Sequence, residues 1–251
     1  MSDRMDTSIR DHWSSRAEGY GNFVRRSYDA PKERLAWQNL YREVLGDRNG
    51  EILDCGCGPG TVSLRMSDMG YKMTAMDFSE DMLEEARKNA DRYGFNIDFH
   101  QGDAEKNPFS DEQFDVVISQ YMLWTVPHPE KVMSEWFRIL KPGGLVFYID
   151  GDWFNDPRNT RLRRFISRVA KALEYPKIDA VRKNGPSDRN VCNGLWSASA
   201  KRPDDDVVMM DKAGFKNIRV IHDINKRVMP GIRYYANGFT ADYFMVVAEK
   251  E

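Results

Sequence analysis

A glycine-rich loop beside an apolar strand is the feature that most constrains how this chain can fold. The segment DCGCGPG, residues 54–60, follows the apolar pair Ile52 and Leu53 and precedes a helical pattern that begins near Thr61. Three glycines in five positions cost backbone entropy that a plain turn does not require, so the loop is expected to bring backbone close to a ligand. A loop between a strand and a helix lies at the carboxyl edge of the sheet, where open α/β folds bind ligands.

Short apolar runs alternate with helical patterns along the first 150 residues. After the pair at 52–53, the runs cover residues 71–76, 97–99, 116–118 and 145–149. Strands separated by helices predict a mostly parallel sheet that is covered on both faces. Two later runs, 218–221 and 243–247, have no convincing crossover helix between them. The last strand is therefore expected to pair antiparallel, at or near the sheet edge.

Several helix ends are marked by capping residues. Ser79 is placed to cap a helix that has acidic residues in its first turn and Gly94 after its end. Pro129 opens a second crossover helix, and the turn KPGG at 141–144 closes it. An apolar stripe predicts another helix, ended by Gly46, from Leu35, Leu40, Tyr41, Val44 and Leu45.

Length and composition fit one domain. With 251 residues, of which 41% are hydrophobic, the chain can bury one sizeable core. We expect a helical N-terminal lid (1–46), a ligand-binding core (47–150), an inserted lid or substrate region (151–206) and C-terminal strands (207–251). An amphipathic helix is expected in the insertion, around residues 162–173.

Charge and cysteine content limit the expected partners. The net charge of -2 and the pI near 6.1 lack the basic excess of a general nucleic-acid binder. No signal sequence is apparent, and no stretch approaches the roughly 18 apolar residues that span a bilayer, so no membrane partner is expected. Cys55 and Cys57 suit neither a disulfide framework nor a CxxC pair, which favours a reducing, cytoplasmic location. The histidines are scattered, so no metal is expected, and the oligomeric state is left open.

The first motif resembles that of the class I S-adenosylmethionine-dependent methyltransferases, in their small-molecule branch. An acidic residue followed by GxGxG is matched by Asp54, Gly56, Gly58 and Gly60. A dinucleotide fingerprint, GxGxxG, would instead need its third glycine where Thr61 stands. The resemblance continues through FHQGDAEKNPF and the fourth strand, and it spans roughly residues 50–150.

This resemblance implies a fold and a cofactor. The fold is a Rossmann-like, doubly wound, mostly parallel seven-stranded sheet with an antiparallel last strand, a helical N-terminal lid and an insertion after strand five. The cofactor is S-adenosylmethionine, with S-adenosylhomocysteine as product. Asp77 stands where the family holds both ribose hydroxyls, since a carboxylate accepts the two hydrogen bonds that a diol donates. Asp103 and Ala104 stand where the family meets adenine. The other implied cofactor contacts are Cys57, Phe78, Met82, Ser119, Gln120 and, from the lid, Trp13 and Tyr20.

Aromatic residues on loops of the same sheet edge are the candidates for binding the acceptor. Tyr28, Tyr121, Trp124 and Trp153 are expected there, because aromatic side chains exclude water and attract a cationic sulfonium. Packing under a lid is the alternative for Tyr121 and Trp124. His128 is a weak candidate for a catalytic general base, and a surface histidine between two prolines is the alternative. Two further candidates after strand five are Asp150 and Asp152.

The function these features favour is methyl transfer to a small-molecule acceptor by in-line displacement, mainly through proximity and orientation. One alternative is a regulatory domain that binds S-adenosylmethionine without catalysis. Another is a methyltransferase that acts on a macromolecule. The segment SQYM at 119–122 is not an NPPY-like tetrad, which argues against exocyclic base amines as targets. The identity of the acceptor atom is not encoded in these motifs.

Overall fold

The structure is a computed structural model that describes residues 2–174 and 191–251, with side chains from Ser8 onward. Its centre is a seven-stranded sheet in the order β3-β2-β1-β4-β5-β7-β6. Every neighbouring pair is parallel except those of β7, which runs antiparallel to both β5 and β6. The predicted fold class is confirmed, and the last strand lies next to the edge. The strands are β1 Ile52–Cys55, β2 Met73–Asp77, β3 Asp98–Gln101, β4 Phe114–Gln120, β5 Leu140–Gly151, β6 Lys216–Ile221 and β7 Tyr243–Glu249.

Helices flank the sheet on both sides. None of those in the described ranges is both long and apolar enough to cross a bilayer. Short 3-10 turns lie at Leu123–Thr125 and Trp196–Ala198, and a π-helical turn lies at Tyr234–Gly238. The helices are α1 Ser2–Ser14, α2 Ala17–Tyr28, α3 Pro31–Leu45, α4 Thr61–Asp68, α5 Glu80–Tyr93, α6 Pro129–Ile139, α7 Arg161–Glu174, α8 Asp204–Lys212 and α9 Ile224–Val228.

The central strands are apolar on both faces, which explains why they appear as continuous hydrophobic runs. In β5, Leu145, Phe147 and Ile149 join the core beneath α3, α4 and α5, whereas Val146 and Tyr148 join the core beneath α6 and α8. This alternation follows from the two-residue period of a strand. Parallel sheets covered by helices on both faces are built in this way.

The predicted helix ends are largely confirmed. The hydroxyl of Ser79 accepts a hydrogen bond from the Met82 amide at 3.3 Å, and Gly94 ends α5 with a φ of 74°. Gly46 ends α3 with a φ of 57°. The predicted stripe of α3 is wrong at Leu35, which is 51% exposed. Leu35 lies five residues before the buried Leu40, about 140° around the helix.

The KPGG turn also differs from its prediction. α6 ends at Ile139, and β5 begins at Leu140, earlier than expected, because Leu140 pairs with Phe114 of β4. The amide of Gly143 donates to the carbonyl of Lys250 at 2.6 Å, which ties this segment to the chain beyond β7. The turn residues therefore lie within the irregular start of the strand.

Candidate active site

The glycine loop joins β1 to α4 with its three glycines in the left-handed region. Their φ values are 73° at Gly56, 52° at Gly58 and 88° at Gly60. The amides of Gly56 and Cys57 both donate to the carbonyl of Met76, so the loop is fixed against the end of β2. A Cβ built at Gly58 would meet no atom within 4 Å, and the backbone there is open to a ligand.

The carboxylate of Asp77 fixes the other side of this loop. One oxygen accepts from the Gly58 amide at 2.8 Å, and the other accepts from the Ser79 amide at 3.0 Å. The residue is 7% exposed, and burial raises its pKa to about 6, although the backbone hydrogen bonds oppose the shift. Each oxygen has a second lone pair that can accept from a ligand hydroxyl.

The carboxylate of Asp54, in β1, is held by hydrogen bonds from the first turn of α4. Its Oδ2 accepts from the Ser63 hydroxyl at 2.5 Å and from the Ser63 amide at 3.0 Å. Its Oδ1 is buried without a hydrogen-bond partner among the described residues. Burial raises the pKa of Asp54 to about 7, and the nearby charge of Asp77 adds to the rise. The unpartnered oxygen can accept from a ligand donor, such as an ammonium group.

The remaining predicted cofactor contacts after β2 and β3 surround the start of α5. Met82 is buried in its first turn, and Phe78 is half-buried beneath the guanidinium of Arg10, which lies 5.7 Å from the ring centre. Asp103 is exposed, and its carboxylate accepts a local bond from the Glu105 amide at 2.9 Å. Ala104 packs against the core beneath α6.

The end of β4 has both structural and unsatisfied polar groups. The Ser119 hydroxyl donates to the Cys55 carbonyl at 2.7 Å, which joins β4 to β1. The Gln120 side-chain oxygen accepts from the Tyr41 hydroxyl at 3.3 Å. Tyr121 has a φ of 59°, and its buried hydroxyl has no partner within hydrogen-bond geometry among the described residues. Burial raises the pKa of Tyr121 well above its usual value.

The N-terminal helices are fastened over this edge of the sheet. The hydroxyl of Ser14, the last residue of α1, lies 2.8 Å from the hydroxyl of Ser79 at the start of α5. In α2, the guanidinium of Arg25 donates to Asn89 at 2.7 Å and pairs with Glu85 at 3.3 Å. These contacts place the expected lid against the helix that follows Asp77.

Five aromatic residues, which we call the aromatic cluster, come together across three segments: Trp13, Tyr20, Tyr121, Trp124 and Trp153. The ring centres of Trp13 lie 5.7 Å from Tyr20 and 6.2 Å from Trp124. Trp153 lies 6.0 Å from Trp124 and 5.8 Å from Tyr121. Residues predicted separately for the cofactor lid and for the acceptor thus form one wall.

The aromatic cluster borders the glycine loop. A Cβ built at Gly56 would lie 2.4 Å from the Met122 side chain, so the segment after β4 packs directly on the loop. Tyr243 of β7, which the sequence reasoning missed, extends the cluster at 5.1 Å from Trp153 and 5.5 Å from Tyr121. Its only sequence signal was its position in the last predicted strand.

Asp150, at the end of β5, fixes two members of the aromatic cluster. One oxygen accepts from the Trp153 indole N–H at 2.9 Å, and the other accepts from the Trp124 amide at 3.1 Å. That second oxygen also accepts from Arg202 at 2.9 Å. Burial raises the pKa of Asp150, and the charge of Arg202 opposes the shift. Asp150 therefore fixes the positions of Trp124 and Trp153 in the aromatic cluster.

Arg202 joins the insertion to the core, and sequence reasoning missed it. Its side chain is 1% exposed, and it pairs with Asp150 and with Asp206, whose side chains are fully buried. The Tyr148 hydroxyl donates to Asp206 at 2.9 Å, which completes the network. The spacing of Arg202 and Asp206, four residues apart at the start of a helix, was the available signal.

Two predicted residues are not brought to the aromatic cluster. The ring of Tyr28 stacks 4.2 Å from Tyr93, at the opposite end of α5 from Asp77. His128 directly precedes α6, and its Nδ1 lies 3.0 Å from Glu105, whose carboxylate also accepts from the His128 amide at 2.8 Å. Its ring is thus engaged by the loop after β3.

Metal and thiol chemistry have little support in the described residues. No group of three or more histidine, cysteine, aspartate or glutamate side chains within 2–174 and 191–251 could hold a metal ion. Cys55, Cys57 and Cys192 are buried and free of disulfides. Burial raises the pKa of Cys55 to about 12, which leaves its thiol protonated and unreactive at neutral pH.

Comparison with known proteins gives similarities in sequence and in fold. Residues 53–148 match a family model described as a methyltransferase domain. The chain is 28% identical over 222 residues to the ubiquinone/menaquinone biosynthesis C-methyltransferase UbiE of Roseobacter denitrificans, covering 82% of this chain and 85% of that protein. It is 38% identical to the demethylmenaquinone methyltransferase of Chlorobaculum parvum, over 57% of each.

A solved structure shows the same fold at low sequence identity. The SAM-dependent methyltransferase from Aquifex aeolicus superimposes with a TM-score of 0.59 at 18% identity, covering 92% of this chain and 98% of that one. The match includes segments on both sides of residues 53–148, which the family model leaves out. The N-terminal and C-terminal segments thus belong to a fold that solved structures share.

Proposed function

We propose that the chain is a class I S-adenosylmethionine-dependent methyltransferase and that it methylates a small acceptor with an aromatic ring. The observation that carries the proposal is the aromatic cluster beside the glycine loop, because aromatic walls bind planar, apolar molecules. Relatives are named for ubiquinone, menaquinone and demethylmenaquinone. A quinol ring carbon is therefore our first candidate for the methylated atom.

The proposed cofactor contacts follow from chemistry at the glycine loop. The open backbone at Gly58 and the unpartnered oxygen of Asp54 suit the amino-acid end of S-adenosylmethionine. The carboxylate of Asp77 suits the ribose hydroxyls. Asp103 and Ala104 are proposed to meet adenine. The other proposed contacts are Gly56, Cys57, Gly60, Phe78, Met82, Ser119, Gln120, Trp13 and Tyr20.

When bound, S-adenosylmethionine supplies a methyl group on positively charged sulfur. The residues of this chain then contribute mainly by position. Holding two reactants in a near-attack arrangement can lower a barrier by about 7 to 11 kcal/mol. Trp124 and Trp153, both fixed by Asp150, form a wall that can orient a ring and exclude water. Residues 1–46 and 151–206 are proposed to act as lids of a single domain that covers residues 1–251.

Tyr121 is the proposed polar contact to the acceptor. Its buried hydroxyl has no hydrogen-bond partner within residues 2–174 and 191–251, so an oxygen on the acceptor ring could accept from it. Loss of a proton from a phenolic hydroxyl of the acceptor makes the neighbouring ring carbon a better nucleophile, and a general base would assist that loss. His128 stays the weak candidate for this base, since its ring is held by Glu105.

Two measurements test the proposal. Isothermal titration with S-adenosylmethionine and S-adenosylhomocysteine measures cofactor binding, and transfer of a labelled methyl group measures activity. The acceptors would be a short-chain demethylated naphthoquinol and, as a contrast, phosphoethanolamine, a zwitterionic primary amine that lacks a ring. We expect transfer to the quinol and much less to the amine. The variant Trp153→Leu removes one ring of the aromatic cluster, and it should raise the KM for the quinol more than the KM for the cofactor.

Each alternative has its own outcome. Binding of both cofactor forms without transfer to any acceptor would favour a regulatory domain. Transfer to an RNA or protein substrate, but not to the quinol, would favour a macromolecular acceptor. Absence of cofactor binding would remove the glycine loop and Asp77 from the site.

A further inference from the structure

Helix α7 exposes a row of large apolar side chains. Leu162, Phe165, Val169 and Leu173 are 68%, 64%, 45% and 67% exposed. Their spacing of three and four residues places them along one side of the helix. Single exposed apolar residues are ordinary, but four in one row mark an interaction surface. We call these four residues the apolar row.

The apolar row is not the side of α7 that packs on the protein. Ser167 and Ala170 are buried on another side, and the Ser167 hydroxyl donates to the Ala236 carbonyl at 2.8 Å. The guanidinium of Arg163 lies 4.6 Å from the centre of the Phe239 ring. One side of α7 thus packs on the π-helical turn Tyr234–Gly238 and on Phe239. The apolar row faces away from both.

Basic residues occupy the rest of the exposed surface of α7. Arg161, Arg164, Arg168 and Lys171 are all exposed. In the part of the chain that the structure describes, Arg161 and Arg168 have no ion-pair partner. The helix has five basic residues against one acidic residue, in a chain whose net charge is -2. Positive charge is therefore concentrated where apolar side chains are exposed.

We propose that α7 docks on the surface of a bilayer that contains anionic lipids. An interfacial helix has an apolar side that enters the headgroup region and Lys or Arg residues that attract anionic lipids. The 14 residues of α7 extend about 21 Å, which suits a helix lying in the membrane plane. The proposal departs from the expectation of no membrane partner, because an interfacial helix needs no spanning segment.

Charge decides between a bilayer and a second copy of this chain. Two α7 helices packed through their apolar rows would bring two sets of basic residues together, and such like-charge contacts are costly. An anionic surface satisfies both the apolar row and the cations. Net attraction of this kind weakens as salt screens the charges.

The position of α7 relates this surface to the candidate site. The turn Tyr234–Gly238 contacts α7 through Ala236, whose carbonyl accepts from Ser167. The same turn contacts Tyr243, which packs on the aromatic cluster and whose hydroxyl donates to the Asn237 carbonyl at 2.8 Å. Docking would thus hold the aromatic wall near the lipid surface. That a lipid-dissolved acceptor enters from this surface rests on the proposed function, whereas the docking itself does not.

Sedimentation with vesicles tests the apolar contribution. The full chain would be mixed with vesicles of phosphatidylcholine alone or with added phosphatidylglycerol, without cofactor or acceptor. We expect binding to the anionic vesicles. Leu162→Ser with Phe165→Ser should weaken it by at least about thirtyfold, because two large apolar side chains no longer enter the interface. Phe23→Ser with Val208→Ser is the matched control, since these side chains are 45% and 51% exposed on α2 and α8 and should leave binding unchanged.

A charge-matched pair tests the electrostatic contribution. Arg161→Gln with Arg168→Gln should weaken binding to anionic vesicles by about thirtyfold near 0.15 M salt, where the Debye length is about 8 Å, and leave binding to neutral vesicles unchanged. Arg26→Gln with Arg42→Gln removes the same charge from other exposed positions. That control should bind within about threefold of the unaltered protein, since charges beyond a Debye length are screened.

Three results would overturn the proposal. These are no sedimentation of the unaltered chain with anionic vesicles, equal losses in the α7 variants and their controls, or a dimer in light scattering that Phe165→Ser converts to a monomer. The last would assign the apolar row to a second copy. Because vesicle binding is measured without cofactor, its failure leaves methyl transfer to a water-soluble quinol as an independent test of the proposed function.

Discussion

Replacing Asp77 with asparagine tests the proposed sugar contact most directly. The carboxylate accepts one bond from Gly58 and one from Ser79, and each of its oxygens can accept one more. Asparagine keeps one oxygen and replaces the other with a donor, so one of the two bonds to the ribose hydroxyls is lost. A hydrogen bond to a charged group contributes about 1.5 to 3 kcal/mol, so the Kd for S-adenosylhomocysteine should rise about 10-fold to 150-fold.

The pH dependence separates this contact from a general effect on the loop. Burial raises the pKa of Asp77 to about 6. Ligand hydroxyls favour the ionised carboxylate, so cofactor affinity should fall as the pH drops below about 6, by up to about tenfold per unit. Asp77→Asn should lose this dependence. Asp54, whose pKa burial raises to about 7, still titrates in the variant, and loss of the nearby Asp77 charge should lower the pKa of Asp54 there.

The raised pKa of Asp77 also predicts how the free energy of unfolding changes with pH when no cofactor is bound. Because the folded pKa lies above the unfolded value of about 3.9, the folded protein binds more protons in this window. The contribution of Asp77 to the free energy of unfolding is therefore greatest below about pH 4 and declines as the pH rises to about 6. Urea denaturation should show the unaltered protein losing stability across this window relative to Asp77→Asn.

Calorimetric titration between about pH 5 and pH 8 provides the assay. Asp98→Asn is the control, because the side chain of Asp98 is 68% exposed on the edge strand β3. It should bind the cofactor as the unaltered protein does. If folded Asp77→Asn matched the unaltered protein at every pH, the assignment of Asp77 to the ribose would be refuted.

Three further substitutions test separate parts of the site. Gly58→Val places a side chain in the open space, so calorimetry should detect no cofactor binding. Strain in the left-handed backbone should also lower the free energy of unfolding by about 1 to 2 kcal/mol. Retained binding would contradict the assignment of the glycine loop to the cofactor. Arg202→Met leaves two buried carboxylates without a cation and should cost about 3 to 5 kcal/mol in urea denaturation. Tyr148→Phe, its control, should cost only about 1 kcal/mol, and equal losses would refute the network. His128→Ala should leave the pH profile of turnover unchanged, because its ring is engaged by a carboxylate; loss of the acid limb would instead assign it as the base.

Features governed by local rules could be predicted from the sequence. The Ser79 cap, the glycine ends of α3 and α5 and the alternation of strands and helices depend on residues close together in the chain. The glycine loop and Asp77 could be placed at one edge because parallel strands bring their carboxyl ends together. The prediction of a ligand site at that edge follows from these rules.

Features set by long-range packing could not be predicted. Asp150 and Arg202 are 52 residues apart, and no local pattern indicates that a cation of the insertion lies behind the strand end. Tyr28 was expected near the acceptor, but α2 runs along α5 and takes it to the opposite end. The path of a helix across a sheet depends on all of its contacts, which short motifs do not encode.

The shared dependence of Trp124 and Trp153 on Asp150 bears on how this site can change over evolutionary time. Replacing Trp153 removes an indole donor from a buried carboxylate, and the backbone amide of Trp124 ties its segment to the same carboxylate, whereas Trp13 and Tyr20 belong to helices that contribute none of the hydrogen bonds described for it. Selection for a bulkier acceptor should therefore enrich substitutions in α1 and α2 first. Trp124 and Trp153 should stay unchanged among variants that differ in substrate.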